Sequence, residues 1–526
     1  MPTVREAVYE LLRGWRMTTI FGNPGSNELP FLSDFPSDFR YVLGLHEGVV
    51  VGMADGYAQA TGRTVLVNLH SAAGVGNAMG ALVNARFGRS PLVVTAGQQA
   101  RPMITLEALL TNVHATRLPE PLVKWSYEPP RAEDVPAAIS RAVHTASLPP
   151  RGPVFVSVPL DDWSTDVDRE QLELLRERRV DAPGVLEEGA VRRLARRIDR
   201  AENPVFVVGS EVDTGGAFQD AVRLAEKSRM PVWVAPSGYR CPFPTDHPCF
   251  RGVLPIGMKS LAECLRGHDL VLVAGAPVFR YHAYEPGRYL PPGASLIALT
   301  QDPEEAARAP FGEALLVDVP SALRQLAGAV SHSGRPEPEP LPRPAPAPQS
   351  LPLSPGAVYD VLDDVLPEGT IFVNESTVDK EIFWERVRMR QPGSYYFAAA
   401  GGLGFGMPAA VGVKMALPER PVVAVIGDGS AQYSIQALWS AANYGVPVTF
   451  VILRNESYAV LEWFGGVLGT GDVPGTELPG IDTTKLAGGY GVAARRVETT
   501  KELAAALKDA LSSGAPDLIE VPVGRP

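Results

Sequence analysis

Pro421-Val-Val-Ala-Val-Ile-Gly-Asp-Gly-Ser430 and Pro447-Val-Thr-Phe-Val-Ile-Leu-Arg-Asn455 are two apolar runs that each open at proline and end in polar residues. Proline suits the first position of a strand, where no ladder donor is lost. Runs this short and this uniformly apolar read as strands buried on both faces, the habit of a parallel sheet covered by helices. Gly427-Asp428-Gly429-Ser430 and Asn455 then stand at the carboxyl ends of two strands. In an open parallel sheet those ends line the ligand crevice, and helix amino termini there favour phosphate. A carboxylate and an amide oxygen, completed by backbone and diphosphate oxygens, suit an octahedral Mg²⁺. Gly-Asp-Gly alone is most simply a tight turn; Asn455 after the next strand is what adds a metal to the reading.

The same pattern recurs at Pro91, Pro153, Pro204 and Pro231, each opening a Val-rich run, with Ala-rich segments of helical period between them. This is the alternation of βαβ units, and it predicts an α/β chain of three doubly wound parallel-sheet domains. A length of 526 residues agrees with about three domains. The expected limits are 1–165, 183–330 and 356–526. Between the last two, 331–355 is too rich in proline for helix or strand and reads as a semi-extended linker.

Composition excludes several classes. Hydrophobic residues make up 45% and charged residues 20%, values of a folded globular chain rather than a disordered one. The net charge of −11, without a Lys/Arg block, argues against nucleic acid and anionic membranes as partners. Cys241, Cys249 and Cys264 are too few for a disulfide framework and form no C-x-x-C, which suggests a reducing, cytoplasmic setting. The N-terminus has no apolar run of the secretory kind. The one long uncharged stretch, 394–413, is interrupted by glycines and Pro408, and so reads as a turn feeding a buried helix rather than a membrane span.

In the first domain the strand Tyr41–Leu45 leads to Glu47, which opens an Ala/Gly/Val-rich helix. By itself Glu47 is a first-turn glutamate favoured by the helix dipole. Leu403 lies in Gly401-Gly402-Leu403-Gly404-Phe405-Gly406, where glycines would let the backbone approach a ring closely.

Gly427-Asp428-Gly429 closed by Asn455 about 30 residues later resembles the thiamine diphosphate motif. Longer strings resemble the benzoylformate decarboxylase family of thiamine diphosphate-dependent 2-oxo acid decarboxylases: Phe21-Gly-Asn-Pro-Gly-Ser-Asn-Glu-Leu-Pro-Phe31, Asn68-Leu-His-Ser-Ala-Ala-Gly74, Gly275-Ala-Pro-Val-Phe-Arg-Tyr-His282, Asn374-Glu-Ser376 and Pro392-Gly-Ser-Tyr-Tyr-Phe397. The resemblance spans the chain outside the linker. It implies thiamine diphosphate with Mg²⁺ (or Ca²⁺) as cofactors, and Asp428, Asn455 and the Ser457 carbonyl as metal ligands. Thr377, Gly401, Leu403, Gly427, Gly429, Ser430 and Tyr458 are implied to hold the cofactor, and Glu47 to hydrogen-bond its aminopyrimidine. Ser26 would orient the substrate carboxylate, and His70 and His282 would transfer protons, as imidazole does near neutral pH. Pro24, Leu109, Leu110, Phe397, Val460, Leu461 and Phe464 would line the substrate pocket.

The implied reaction is decarboxylation of benzoylformate to benzaldehyde through a carbanion and an enamine. The implied assembly is a homotetramer with each site between subunits, Glu47 of one facing Asp428 of another. Three departures stand out. Arg454 replaces an asparagine of the motif. Val460 replaces the family's alanine, and its two extra methyl carbons would favour smaller or linear 2-oxo acids. Arg117-Leu-Pro-Glu120 differs from the family's second metal site, so that metal is not expected. Other readings are a thiamine diphosphate carboligase and a catalytically dead scaffold relative; a flavin oxidase is disfavoured because Val208-Gly-Ser-Glu-Val212 lacks a dinucleotide fingerprint.

Overall fold

The structure is a computed structural model that describes residues 1–180 and 184–525. The expected boundary at Pro183 lies outside the described residues. Three six-stranded parallel sheets carry the fold. The first contains β1 (Thr19–Asn23), β2 (Arg40–Leu43), β3 (Val65–Leu69), β4 (Leu92–Gln98), β5 (Ser126–Tyr127) and β6 (Val154–Pro159), in the order β2-β1-β3-β4-β6-β5. The second contains β7 (Pro204–Val208), β8 (Val232–Val234), β9 (Phe250–Val253), β10 (Leu270–Ala274), β11 (Ser295–Thr300) and β12 (Glu313–Leu316), in the order β12-β11-β10-β7-β8-β9. The third contains β13 (Ile371–Glu375), β14 (Tyr395–Phe397), β15 (Val422–Gly427), β16 (Thr449–Arg454), β17 (Ala493–Arg496) and β18 (Asp517–Pro522), in the order β14-β13-β15-β16-β18-β17. This is the doubly wound α/β class that the alternating pattern predicts.

The apolar runs behave as two-sided burial requires. All seven residues of β4 and all five of β10 are buried, as are Val422 to Ile426 in β15. In the first sheet the chain leaves β1 for β2, then crosses back over β1 to β3. The neighbouring ends of β1 and β3 therefore form a switch point, where an open α/β sheet presents its crevice.

By contact density the chain divides into two compact units: Met1–Asp181 with Ala398–Arg496 and Asp509–Val521, and Ala182–Phe397 with Val497–Lys508 and Pro522–Pro526. In the first unit one core begins at Val4 and runs through Ile20, Leu66, Val93 and Val156 to Trp163 and Leu172. It thus takes in the helix Arg169–Glu177, beyond residue 165. The helices Glu47–Thr61 and Gly406–Ala416 press together in the same unit. A Cβ at Gly56 would lie 2.3 Å from the Ala409 carbonyl oxygen, and one at Gly412 would lie 1.9 Å from that of Met53. Only glycine permits that approach.

The second unit has its own core of Val205, Val207, Leu261, Val271, Val273 and Phe279. Residues 331–354 carry no helix or strand apart from a single bridge of Leu353 to Val523. Arg335 fastens this segment by donating to the carbonyls of Ile198, Ala201 and Ser228 at 2.6–2.9 Å. No helix among the described residues is long and apolar enough to cross a membrane; 394–413 is β14, a turn and the helix Gly406–Ala416.

Candidate active site

Four groups from the sequence list gather at the first sheet's switch point or on the helices that leave it. Glu47 is the first residue of its helix, and His46 caps that helix by accepting from the Gly48 N–H at 3.0 Å. The Glu47 side chain is buried between two amides: Oε1 accepts from Asn23 Nδ2 at 3.2 Å and Oε2 from Asn77 Nδ2 at 3.0 Å. Both partners were missed from the sequence. Asn23 lies inside a quoted string, but Asn77 sits unannounced on the helix Ser71–Phe87, two turns after His70.

His70 follows β3 and precedes that helix. Its Nδ1 lies 2.8 Å from Oε2 of Glu28, which is 1% exposed. A carboxylate acceptor there requires the hydrogen on Nδ1, leaving Nε2 for exchange. Glu28 also accepts from the N–H groups of Gly25 at 2.8 Å and Gly97 at 2.7 Å. It ties β4 and the Asn23–Ser26 turn to the imidazole. A Cβ on Gly25 would fall 2.2 Å from His70 Nδ1, so the ring packs where a side chain would be. Glu28 was the largest omission of the sequence reading; it looks there like a cap three residues into a turn. Ser26 is exposed at the rim, its Oγ 3.4 Å from Asn27 Oδ1, and Pro24 is half-buried.

The Leu109–Leu110 loop stands off the same sheet. Gln98 accepts from the Asn112 N–H at 2.8 Å and donates to its carbonyl, and Gln99 donates to the Leu109 carbonyl at 2.8 Å. Leu109 is left 86% exposed.

Asp428 and Asn455 leave adjacent strands, β15 and β16, which pair in parallel with Gly427 opposite Leu453. Asp428 is buried; Oδ1 accepts from the Gly429 N–H at 3.0 Å and Oδ2 from the Glu456 N–H at 2.9 Å. Burial pushes its carboxyl up, while the N–H groups of Glu456, Gly429 and Asn455 act the other way. Asn455 Oδ1 accepts from the Ser457 N–H at 3.0 Å, which folds the chain so that Glu456 takes a positive φ of 57°. Arg454 pairs with Glu456. Ser457 and Ser430 are buried and Tyr458 is half-buried. The Tyr458 ring would sit 2.7 Å from a Cβ on Gly429, which keeps that position bare.

Gly401 has a φ of 75° with nothing within 4 Å of a Cβ, so the Leu403 turn is open on that side. Asn84, another omission, clamps this turn by donating to the Gly402 carbonyl at 2.8 Å and accepting from the Ala400 N–H at 3.2 Å. On the helix Ala459–Leu468, Val460 and Phe464 are half-buried and Leu461 is 46% exposed.

The remaining sequence candidates belong to the second unit. His282 is exposed, and its N–H donates to the Ile256 carbonyl at 3.0 Å. Partial desolvation, then the positive charges of Lys380 and Arg280, lower its basicity. Thr377 follows β13, and Phe397 ends β14 with its N–H on the Tyr239 carbonyl at 3.1 Å. Asp379 is buried, accepts from Ser376 Oγ at 3.1 Å, and is pushed up to about 6 by desolvation.

These residues fit the group the motif implies. One carboxylate and one amide oxygen on neighbouring strand ends suit a hard cation bridged to phosphate. Gly429 offers backbone with no side chain in the way, and Glu47 is a buried carboxylate held by two neutral donors.

Thiamine pyrophosphate enzyme family models match in all three regions: the N-terminal TPP binding domain at residues 2–117, the central domain at 191–326 and the C-terminal TPP binding domain at 380–521. The benzoylformate decarboxylase of Pseudomonas aeruginosa is 57% identical over 523 residues, 99% of each chain. Among solved structures, the thiamine diphosphate-dependent 4-hydroxybenzoylformate decarboxylase of Rhodococcus jostii superposes with a TM-score of 0.98 at 53% identity, covering 100% of this chain and 99% of that one. Benzoylformate decarboxylase from Polynucleobacter necessarius gives 0.97 at 40% identity with the same coverage. The chain belongs to the thiamine pyrophosphate enzymes, and within them to the benzoylformate decarboxylase family.

Proposed function

We propose that the chain is a thiamine diphosphate-dependent carboxy-lyase that converts benzoylformate, or its 4-hydroxy counterpart, to the aldehyde and carbon dioxide. The 57% identity across 99% of both chains with the Pseudomonas aeruginosa decarboxylase carries this reading. Asp428, Asn455 and the Ser457 carbonyl would hold Mg²⁺ or Ca²⁺; Gly427, Gly429, Ser430, Thr377, Gly401, Leu403 and Tyr458 would hold the diphosphate and ring. When bound, thiamine diphosphate supplies a carbon nucleophile and a sink for the electron pair freed as carbon dioxide leaves.

The chain's own residues do the rest. Glu47, fixed by Asn23 and Asn77, hydrogen-bonds the aminopyrimidine and holds its exchanging proton. Ser26 donates to the substrate carboxylate. His70, its Nδ1–H committed to Glu28, presents Nε2 for proton transfer, and His282 is the second proton-transfer group. Net uptake of one proton balances the conversion of the 2-oxo acid anion to neutral aldehyde and carbon dioxide. Leu109, Leu110, Pro24, Phe397, Val460, Leu461 and Phe464 would exclude water from the ring.

The test is benzaldehyde release from benzoylformate by the purified chain with Mg²⁺ and thiamine diphosphate. Cofactor-dependent release is expected; an acyloin as the main product, or none at all, would overturn the reading. Chelation should abolish turnover, and Mg²⁺ or Ca²⁺ should restore it. If Val460 narrows the pocket, Val460→Ala raises the kcat/KM ratio of benzoylformate over 2-oxobutyrate; an unchanged ratio removes that role.

The proposed assembly is a homotetramer with sites formed between subunits, and sedimentation with simultaneous assay should find activity only in the oligomer. Three free thiols, one of them the exposed Cys264, support a reducing, cytoplasmic setting.

A further inference from the structure

Lys380 opens the helix Lys380–Arg386, and its Nζ lies 5.1 Å from the centroid of the Phe397 ring. Among the described residues no carboxylate or other acceptor comes within ion-pair or hydrogen-bond distance of that ammonium; the countercharge that acts on it, Glu381, is on the exposed side of the same helix. Desolvation lowers its basicity. A cation in the first turn of a helix also faces the positive end of the backbone dipole. Desolvation, an opposing dipole and the lack of a carboxylate within ion-pair distance all disfavour a lysine here, a pattern that marks functional sites more than structural ones. The same ammonium acts on His282, one of the two proposed proton-transfer groups, and touches Phe397, one of the proposed pocket side chains.

We propose that Lys380 reads an oxygen borne by the aromatic ring of the substrate, so that the enzyme favours phenolic over unsubstituted aromatic 2-oxo acids. This rests on the function proposed above. In that scheme the substrate carboxylate is met by Ser26 and the diphosphate by Ser430 and the metal, which leaves a ring substituent as the acceptor for Lys380. A phenol oxygen accepts a charge-assisted hydrogen bond from an ammonium; a bare phenyl ring leaves that ammonium unpaired.

The experiment compares kcat/KM for 4-hydroxybenzoylformate and benzoylformate in the wild type, Lys380→Met and Lys380→Arg, as full-length holoenzymes. The wild type should favour the hydroxylated substrate. Lys380→Met should lower the ratio of the two by about tenfold or more, and Lys380→Arg should retain most of it. Calorimetric binding of 4-hydroxymandelate against mandelate, unreactive analogues with the same carboxylate and ring, should show the same contrast. An unmoved ratio overturns the proposal. So does an equal loss on both substrates, which would assign the ammonium to the shared carboxylate or to His282, or a weakened cofactor affinity with the ratio intact, which would assign it to the diphosphate. If neither 2-oxo acid turns over in the wild type, the function reading fails, and the analogue binding still decides Lys380.

Discussion

The two histidines singled out from the sequence are held in opposite ways. His70 is fixed by contact: its Nδ1 is 2.8 Å from a carboxylate that is 1% exposed, and its ring fills the space beside Gly25. His282 stands on a loop, and its basicity is lowered first by partial desolvation and then by the positive charges of Lys380 and Arg280. One site fixes a tautomer and a direction, the other lowers a basicity. A protein that must deliver a proton at one step and yield one at another can use both means, since orientation and basicity are separately adjustable.

Removing the imidazoles should separate them most strongly. His70→Ala is expected to lower kcat/KM for benzoylformate by about 10³-fold, and His282→Ala by about 10²-fold, within the range of general acid–base contributions. Equal losses would erase the contrast. Glu28→Gln should follow, at about 100-fold, because the amide can present its NH₂ to Nδ1 and reverse the tautomer. Circular dichroism should show a folded chain, with a lowered melting temperature because the amide NH₂ meets the N–H of Gly25 or of Gly97 in either orientation.

The field at His282 is tested by pH. Removing the Lys380 charge by Lys380→Met lifts a repulsion on the imidazolium, so the His282 limb of the kcat profile should move to higher pH. An unmoved limb would show that desolvation alone sets it. The last effect is on stability rather than turnover and concerns the buried carboxyl next to Lys380. Asp379 is raised to about 6 in the folded chain from an ordinary 3.8. A raised carboxyl stabilises the fold fully below its unfolded value and loses that contribution as pH rises through the folded one. Stability should therefore fall by about 2–3 kcal/mol between about pH 4 and pH 6 in the wild type relative to Asp379→Asn, read from paired urea unfolding curves.

Much of the architecture was legible because parallel strands advertise themselves. Val65–Leu69 and Leu270–Ala274 are strands over the expected residues, and Asp428 and Asn455 sit at the ends of neighbours because polar residues closing apolar runs have no other place in a parallel sheet. The partners that hold the site were less legible. Glu28 reaches His70 across 42 positions, Asn77 reaches Glu47 across 30, and Asn84 reaches Gly402 across 318. Nothing in local spacing marks an amide on a helix as a clamp rather than a surface residue. Lys380 escaped notice for a similar reason: next to Glu381 it looks like ordinary helix charge, and only the Phe397 ring beneath its ammonium distinguishes it.

The proline-rich connector has a practical consequence. It is a long, mostly exposed stretch without helix or strand, the kind of segment a protease would be expected to find early. Its two arginines, Arg335 and Arg343, are each followed by proline, and no other Lys or Arg occurs between Arg324 and Lys380. Trypsin does not cut ahead of proline, so it should leave this connector whole while elastase or thermolysin-type enzymes nick it. A tryptic map that finds the chain intact there reports the bonds on offer, not the tightness of the fold.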